Sequence, residues 1–99
     1  MKLPGGDNAI VDISKLRGYC LDPQHPRGRH KARVFLSTLG LKQSDADFLR
    51  AALIEAAREE DAVPGEADEY GKRYTVDFLM TRGYREARVR SAWIILHGE

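Results

Sequence analysis

The sequence predicts an α+β domain in which three N-terminal helices pack on a small C-terminal antiparallel sheet. Two observations lead to this fold class. Up to about residue 60, apolar residues recur every three or four positions, which is the spacing of a helix face. From residue 73 onward they recur at every second position, which is the spacing of a half-buried strand. A chain of 99 residues suffices for one hydrophobic core, so we expect residues 1–99 to form a single domain.

The first helix is expected to begin at Ser14 and to end near Cys20. A serine in this position can accept a hydrogen bond from the first free amides of a helix. Asp22 and Pro23 end the helix, because a residue that precedes proline avoids the helical conformation. Before this helix, the apolar residues of segment 9–13 favour a short strand.

The second and third helices lie on either side of Gly40, a residue type that suits the left-handed conformation at a helix end. A turn over residues 25–28 leads into the second helix. The third helix begins at Ser44, with Asp47 three residues further on as in a capping box, and ends near Glu60. The predicted apolar stripes are Ala32, Phe35, Leu36 and Leu39 in the second helix, and Phe48 or Leu49, Ala52, Leu53 and Ala56 in the third.

The C-terminal third predicts two strands after an acidic loop over residues 61–71. In the first strand, residues 73–80, apolar side chains occupy alternate positions. A turn over residues 81–84 follows, in which Gly83 can adopt the positive φ that the turn needs. Residues 86–96 form the second strand.

Two strands make a marginal sheet, so a third strand is expected. The sequence leaves three sources open for it. Segment 9–13 could complete the sheet, or the last strand of a second copy could do so and make a homo-oligomer through the C-terminal strand. In the third alternative, the chain is a shortened version of a longer domain that supplies a further strand.

The net charge of +1 conceals a strong separation of charge along the chain. Segment 44–69 holds nine acids and two arginines, a net charge of −7, which leaves +8 for the remaining residues. This separation suits an anionic ligand on one face and a basic partner, or a second copy, on another.

Cys20 is the only cysteine, which excludes an internal disulfide, and its position between Tyr19 and Leu21 predicts a buried, unreactive thiol. No segment has the apolar length of a signal peptide or a membrane span. We therefore expect a cytoplasmic protein with no membrane partner.

The segment from His25 to Arg33 is the strongest candidate for a functional site, because it holds four arginines or lysines, two histidines and no acid. It falls at the start of a helix, where cations oppose the helix dipole and an anion such as phosphate is stabilised. Histidine titrates near neutral pH and can transfer protons at a ribose hydroxyl or a leaving oxygen. The predicted catalytic residues are His25, His30 and Lys31, and the predicted phosphate-binding residues are Arg27, Gly28, Arg29, Arg33, Arg88 and Arg90.

The same residues also fit a structural interpretation, in which the basic segment is a solvated loop–helix junction and the strand arginines form an exposed sheet face. No cofactor and no metal are predicted. His25, His30 and His97 lack a metal-ligand spacing with Cys20, and the sequence has no P-loop, dinucleotide fingerprint or nucleophile elbow.

Residues 15–23 and 25–35 carry a motif that reads Lys-Leu-Arg-Gly-Tyr-Cys-Leu-Asp-Pro and His-Pro-Arg-Gly-Arg-His-Lys-Ala-Arg-Val-Phe. The motif resembles an uncharacterised bacterial domain family with the pattern Y-L-L-N-P-x-H-P-x-G-x-x-K-A-x-x-F, whose members occur as small proteins and in toxin-like contexts. Cys20 and Asp22 stand where the pattern has Leu and Asn. The order of helices and strands is also similar to the architecture of nucleases of the barnase, EndoU, colicin and RelE types.

This resemblance implies a small toxin-like module, either a metal-independent ribonuclease or a domain that binds RNA or another phosphate-bearing ligand. The alternative is a non-enzymatic protein-interaction domain, similar in role to an immunity protein or antitoxin. Such a domain would bind a cognate protein partner through the acidic surface of residues 44–69.

Overall fold

The computed structural model describes residues 1–98, which form a helical layer on one face of a three-stranded antiparallel sheet. This arrangement confirms the predicted α+β class. In the described part of the chain, no helix is long and apolar enough to cross a membrane. The elements are α1 (Ile13–Lys15), α2 (Arg29–Leu39), α3 (Ala46–Glu59), β1 (Ala62–Ala67), β2 (Gly71–Arg82) and β3 (Arg85–Leu96).

The first helix is capped by Asp12 rather than by Ser14. The Asp12 Oδ1 accepts hydrogen bonds from the amide and the hydroxyl of Ser14, at 2.9 and 2.6 Å. The helix then continues through a π-helical turn, Leu16–Cys20. The strand predicted over residues 9–13 is wrong, because this segment joins no sheet among the described residues and the chain is already helical at Ile13.

The second helix and its terminator are confirmed. Gly40 adopts a φ of 67°, and its amide donates to the carbonyl of Leu36 at 2.9 Å. The third helix begins with the 3-10 turn Gln43–Asp45 that leads into α3. The predicted capping box of Ser44 and Asp47 does not form among the described residues. In the 3-10 turn, the Asp45 Oδ2 instead accepts from the backbone amide of Lys42 at 2.9 Å.

The third strand of the sheet is β1, which lies in the segment predicted to be an acidic loop. It pairs with β2 from Ala62 opposite Val76 to Ala67 opposite Lys72, with an irregular register after Pro64. Only the first residue of β1 is buried, so this strand lacks the alternation that identifies β2 and β3. The proline is tolerated because β1 is an edge strand, where a residue without an amide hydrogen can face away from the ladder.

β2 and β3 form a regular hairpin from Gly71 opposite Leu96 to Arg82 opposite Arg85. Gly83, in the connecting turn, has a φ of 61°, as predicted. One face of the hairpin packs on the helices and the other is exposed, which confirms the predicted alternation. The inward residues are Val76, Phe78 and Met80 of β2, with Ala87, Val89, Ser91, Trp93 and Ile95 of β3.

The hydrophobic core lies between the helices and this inward sheet face. Leu49 of α3 is buried in it, whereas the neighbouring Phe48 is 43% exposed, so Leu49 is the residue that belongs to the apolar stripe. The largest fully buried side chains are Leu21, Leu39, Leu41, Leu49 and Val76.

Candidate functional site: a basic groove beside helix α2

A groove of about 480 Å³ lies between α2, the loop before it and the segment after its C-terminus. Arg29 and Arg33, one helical turn apart on α2, line this groove together with Lys42. Gln43 and Ser44 add further polar groups. We call this site the basic groove. Its apolar lining consists of Leu21, Pro23, Ala32, Leu36 and Leu41.

The shape of the groove follows from the residues that α2 presents on this side. Ala32 is the buried residue of α2 at this point, and its short side chain leaves space beside the core. Leu36 was predicted to be part of the buried stripe, yet it is 48% exposed because it lines the groove. The result is a concave apolar surface with a cationic border.

The basic groove has no carboxylate among its lining residues. Within residues 1–98, Arg29, Arg33 and Lys42 form no salt bridge. Three positively charged side chains therefore line an open surface groove that also exposes apolar side chains. A ligand that carries both an anionic group and an apolar or aromatic body fits this chemistry.

His25 and Gly28 form the turn that leads into α2. The Nδ1 of His25 accepts hydrogen bonds from the amides of Arg27 and Gly28, both at 3.0 Å, so the neutral ring carries its proton on Nε2. The ring also packs against Tyr19, with the two ring centroids 4.6 Å apart. A Cβ on Gly28 would overlap the Tyr19 carbonyl, which is why glycine is required there. Both predicted site residues thus make structural contacts, and neither lines the basic groove.

Three backbone amides at the entry to α2 are already bonded, those of Arg27, Gly28 and Arg29. Besides the two amides that donate to the imidazole, the Arg29 amide donates to the His25 carbonyl at 3.0 Å. The sequence predicts that free amides and cations bind an anion together at this helix start. The side chains of Arg29 and Arg33 lie on the groove side of α2.

The remaining predicted residues of the basic segment lie outside the groove. Burial raises the pKa of the Cys20 thiol, and the nearby Lys31 ammonium opposes this effect without reversing it. The Cys20 thiol is half-buried. Arg27 and His30 are exposed. The structure unites Arg29 and Arg33, but it does not bring His25, His30 and Lys31 to the groove.

Arg88 and Arg90 lie on the outward face of β3, opposite the face that contacts the helices. Arg90 makes two hydrogen bonds to the carboxylate of Asp77, at 2.8 and 3.0 Å. This pairing holds the pKa of Asp77 below its ordinary value. Because the basic groove lies in the helical layer, the two predicted sets of phosphate-binding residues do not form one continuous site.

The acids of segment 44–69 are distributed among several places. Asp45 forms a salt bridge with Arg82 at 3.1 Å, and Asp68 forms one with Arg73 at 3.0 Å. Among residues 1–98, no three His, Cys, Asp or Glu side chains come together as a metal site requires. The outer edge of β3 has no partner strand in the same range, and association of two copies through this strand stays a prediction.

Lys42, Gln43 and Ser44 line the groove but were not predicted as site residues. Their position beside the helix could have been inferred from Gly40. A left-handed residue at a helix end reverses the chain, so the residues that follow return along the side of the helix. The sequence does not fix which side, because that depends on the packing of Leu41 in the core.

Fold and groove together define a class: a small α+β domain with a cationic groove in its helical layer. Residues 2–99 match the model of a family described as Domain of unknown function (DUF6883). The chain belongs to this family, which confirms the prediction of an uncharacterised domain family. Searches of curated proteins and of solved structures found no match.

Proposed function

We propose that this domain binds single-stranded RNA in the basic groove. The observation that carries the proposal is the arrangement of Arg29, Arg33 and Lys42 around an apolar cavity with no carboxylate in its lining. Phosphate backbones provide most of the affinity in nucleic-acid binding through contacts of this kind. Two of the six residues predicted from the sequence to bind phosphate, Arg29 and Arg33, line this groove.

Each part of a nucleotide has a counterpart in the groove. The two guanidinium groups can each donate two parallel hydrogen bonds to phosphate oxygens. The wall formed by Pro23 and Leu36 offers an apolar surface to an unstacked base. The Gln43 Nε2 donates to the Arg17 carbonyl at 2.8 Å, which orients the amide and leaves its oxygen to accept from a base.

A single strand fits this site better than a duplex does. The groove of about 480 Å³ accommodates a ligand of nucleotide size. Sequence-dependent recognition of RNA relies on unstacked bases that enter such cavities, whereas a duplex presents its bases only at the edge of a shallow groove.

The test is fluorescence anisotropy of a short single-stranded RNA across a salt series. With three phosphate contacts, the logarithm of the binding constant is expected to fall with the logarithm of salt concentration with a slope of about −2. The double variant Arg29→Ala, Arg33→Ala should retain a slope of about −0.7 and should bind about tenfold or more weakly at low salt. The matched control is Arg88→Ala, Arg90→Ala, which removes the same charge from the sheet face.

The control variant should bind as the wild type does. Equal losses in the two double variants would show a general effect of net charge and would contradict a site in the groove. Negligible binding of RNA to the wild type at low salt would contradict RNA binding altogether.

The same experiment addresses hydrolysis, if the RNA is recovered and its length is measured. We expect intact RNA, because the lining of the groove contains no histidine that could act as an acid or base. RNA that is cut by the wild type, but not by His30→Ala, would instead support the ribonuclease prediction and a toxin-like activity.

A further inference from the structure

A second groove, of about 410 Å³, lies between α3 and the part of β2 that extends beyond β1. β1 pairs with β2 only as far as Val76, whereas β2 continues to Arg82. Within residues 1–98, no other segment pairs with β2 on this side. The groove is therefore bordered on one side by an open strand edge. It shares no lining residue with the basic groove.

The hydrogen-bonding groups of this edge point into the groove. The carbonyl of Tyr70 accepts from the amide of His97 at 3.1 Å, so the backbone at Tyr70 faces β3. Backbone groups alternate in direction along a strand, and the register of β2 with β3 is regular. The amides and carbonyls of Leu79 and Thr81 therefore face away from β3, toward the position of an added strand.

The two ends of the groove differ in character. The guanidinium of Arg82 lies 5.3 Å from the centre of the Phe48 ring, so the N-terminal part of α3 is beside the end of β2. The groove lining at this end is largely apolar, and Phe48, on whose ring the guanidinium lies, is 43% exposed. The opposite end, beside the start of β1, is lined by acids at the C-terminal end of α3: Glu55, Glu59 and Glu60.

Two of these acids are available to a ligand. Glu59 forms salt bridges with Arg58 at 3.1 Å and with Lys2 at 4.0 Å, whereas Glu55 and Glu60 form none within the described residues. Glu60 directly follows the last residue of α3, so its charge also adds to the negative end of the helix dipole. This end of the groove thus favours a positively charged ligand.

We infer that this groove binds an extended basic segment of a partner protein, which adds a strand to the free edge of β2. The backbone of that segment would pair with Leu79 and Thr81. Its inward side chains would be apolar at the Phe48 end and lysine or arginine at the end near Glu55 and Glu60. The outer edge of β3 does not suit the same ligand, because its exposed residues include three arginines: Arg85, Arg88 and Arg90.

The probe is the peptide Val-Thr-Val-Thr-Lys-Thr-Arg, tested beside a peptide with the same residues in reverse order. The added strand can run parallel or antiparallel to β2, and in each direction one of the two peptides places its basic residues near Glu55 and Glu60. Binding is followed by NMR on the 15N-labelled protein. The amides of Leu79 and Thr81 should shift and should exchange with solvent more slowly. Methylation of the peptide amides on the pairing edge should weaken binding by at least about tenfold, because it removes the ladder hydrogen bonds without a change of charge.

The variant Glu55→Gln, Glu60→Gln should bind the peptide about threefold to tenfold more weakly. The matched control Glu66→Gln, Glu86→Gln removes the same charge from β1 and from the outward face of β3, and it should bind as the wild type does. All these substitutions are at exposed positions, so the variants are expected to fold.

Equal binding of the methylated and unmethylated peptides would overturn strand addition. Equal losses in the two variants, or shifts confined to β3, would overturn the location. No binding of either peptide at millimolar concentration would overturn the inference as a whole. If the Leu79 and Thr81 amides exchange with solvent more slowly as protein concentration rises, without peptide, the inference of a basic partner would be overturned. The occupant of the groove would then be a second copy of this chain.

Discussion

The turn before α2 depends on contacts among Tyr19, His25 and Gly28. The imidazole accepts from two backbone amides and packs on the tyrosine ring, while the glycine approaches the tyrosine backbone. The His-Pro-Arg-Gly sequence, which the sequence pattern indicates as a candidate site, is therefore needed to form the turn. This turn positions Arg29 and Arg33, the residues of the proposed RNA site, on the helix that it begins.

Substitution of Gly28 by alanine tests this interpretation. Gly28→Ala should lower the free energy of unfolding by about 1–3 kcal/mol, because the added methyl group overlaps the carbonyl of Tyr19 and the two backbone segments must separate. Urea denaturation followed by circular dichroism measures the change.

The matched control for that substitution is Gly18→Ala. A Cβ at Gly18 meets no atom within 4 Å, and the residue lies in the helical turn after α1. Alanine there should leave the stability unchanged or raise it by up to about 1 kcal/mol, because glycine is unfavourable inside a helix. Similar losses at the two positions would argue against the packing explanation.

At the scale of the elements, the tip of the β2–β3 hairpin is attached to the C-terminus of α2. Arg82 donates to the Gly40 carbonyl at 2.7 Å and to the carboxylate of Asp45, and Arg85 donates to the Leu36 carbonyl at 3.4 Å. Two arginines opposite each other on paired strands would normally repel. Here both face the negative end of the α2 dipole, which compensates for the repulsion.

The variant Arg82→Ala should lower the free energy of unfolding by about 1.5–3 kcal/mol, since it removes charged hydrogen bonds that are partly shielded from solvent. The more exposed Arg85→Ala, whose hydrogen bond is longer, should cost less than about 1 kcal/mol. The midpoint of urea unfolding provides the comparison, and an equal or larger loss for Arg85→Ala would contradict the proposed attachment.

The elements that sequence reasoning finds are those with one buried and one exposed face. β2 and β3 were predicted because Val76, Phe78 and Met80 alternate with exposed residues. β1 was missed because one buried alanine gives no period, and Pro64 indicates a loop unless the strand is known to lie at an edge.

The basic groove, too, could be predicted from the sequence only in part. Arg29 and Arg33 could be predicted as a pair, because residues four apart share a helix face. Lys42 could not, because its position beside α2 results from the burial of Leu41 in the core. Nor does the sequence show that the acids of segment 44–69 separate into paired residues and a cluster at the end of α3.

For the molecule as a whole, the separation of charge along the sequence becomes a separation in space. The basic groove and the groove beside the free edge of β2 have different lining residues and opposite charge. An anionic ligand and a basic segment could therefore bind at the same time without competition for contacts. Each would be guided to its own site by electrostatic attraction, which weakens as salt concentration rises.

The response to acid also belongs to the whole molecule, because three carboxylates in separate elements have pKa values below the ordinary 3.8: Asp12, Asp68 and Asp77. The principal causes are hydrogen bonds from the Ser14 hydroxyl, the Tyr70 amide and the Arg90 guanidinium, respectively. A lowered folded-state pKa means that the unfolded chain binds more protons, so this stabilisation is complete above about pH 5 and is lost as the pH falls through 3.8 and below.

The double variant Asp68→Asn, Asp77→Asn should be less stable at pH 7 and should lose less stability on acidification, as measured by urea midpoints at each pH. The control Glu66→Gln, at an exposed residue of β1, should keep the wild-type dependence, and a double variant that loses as much stability in acid as the wild type would contradict the assignment.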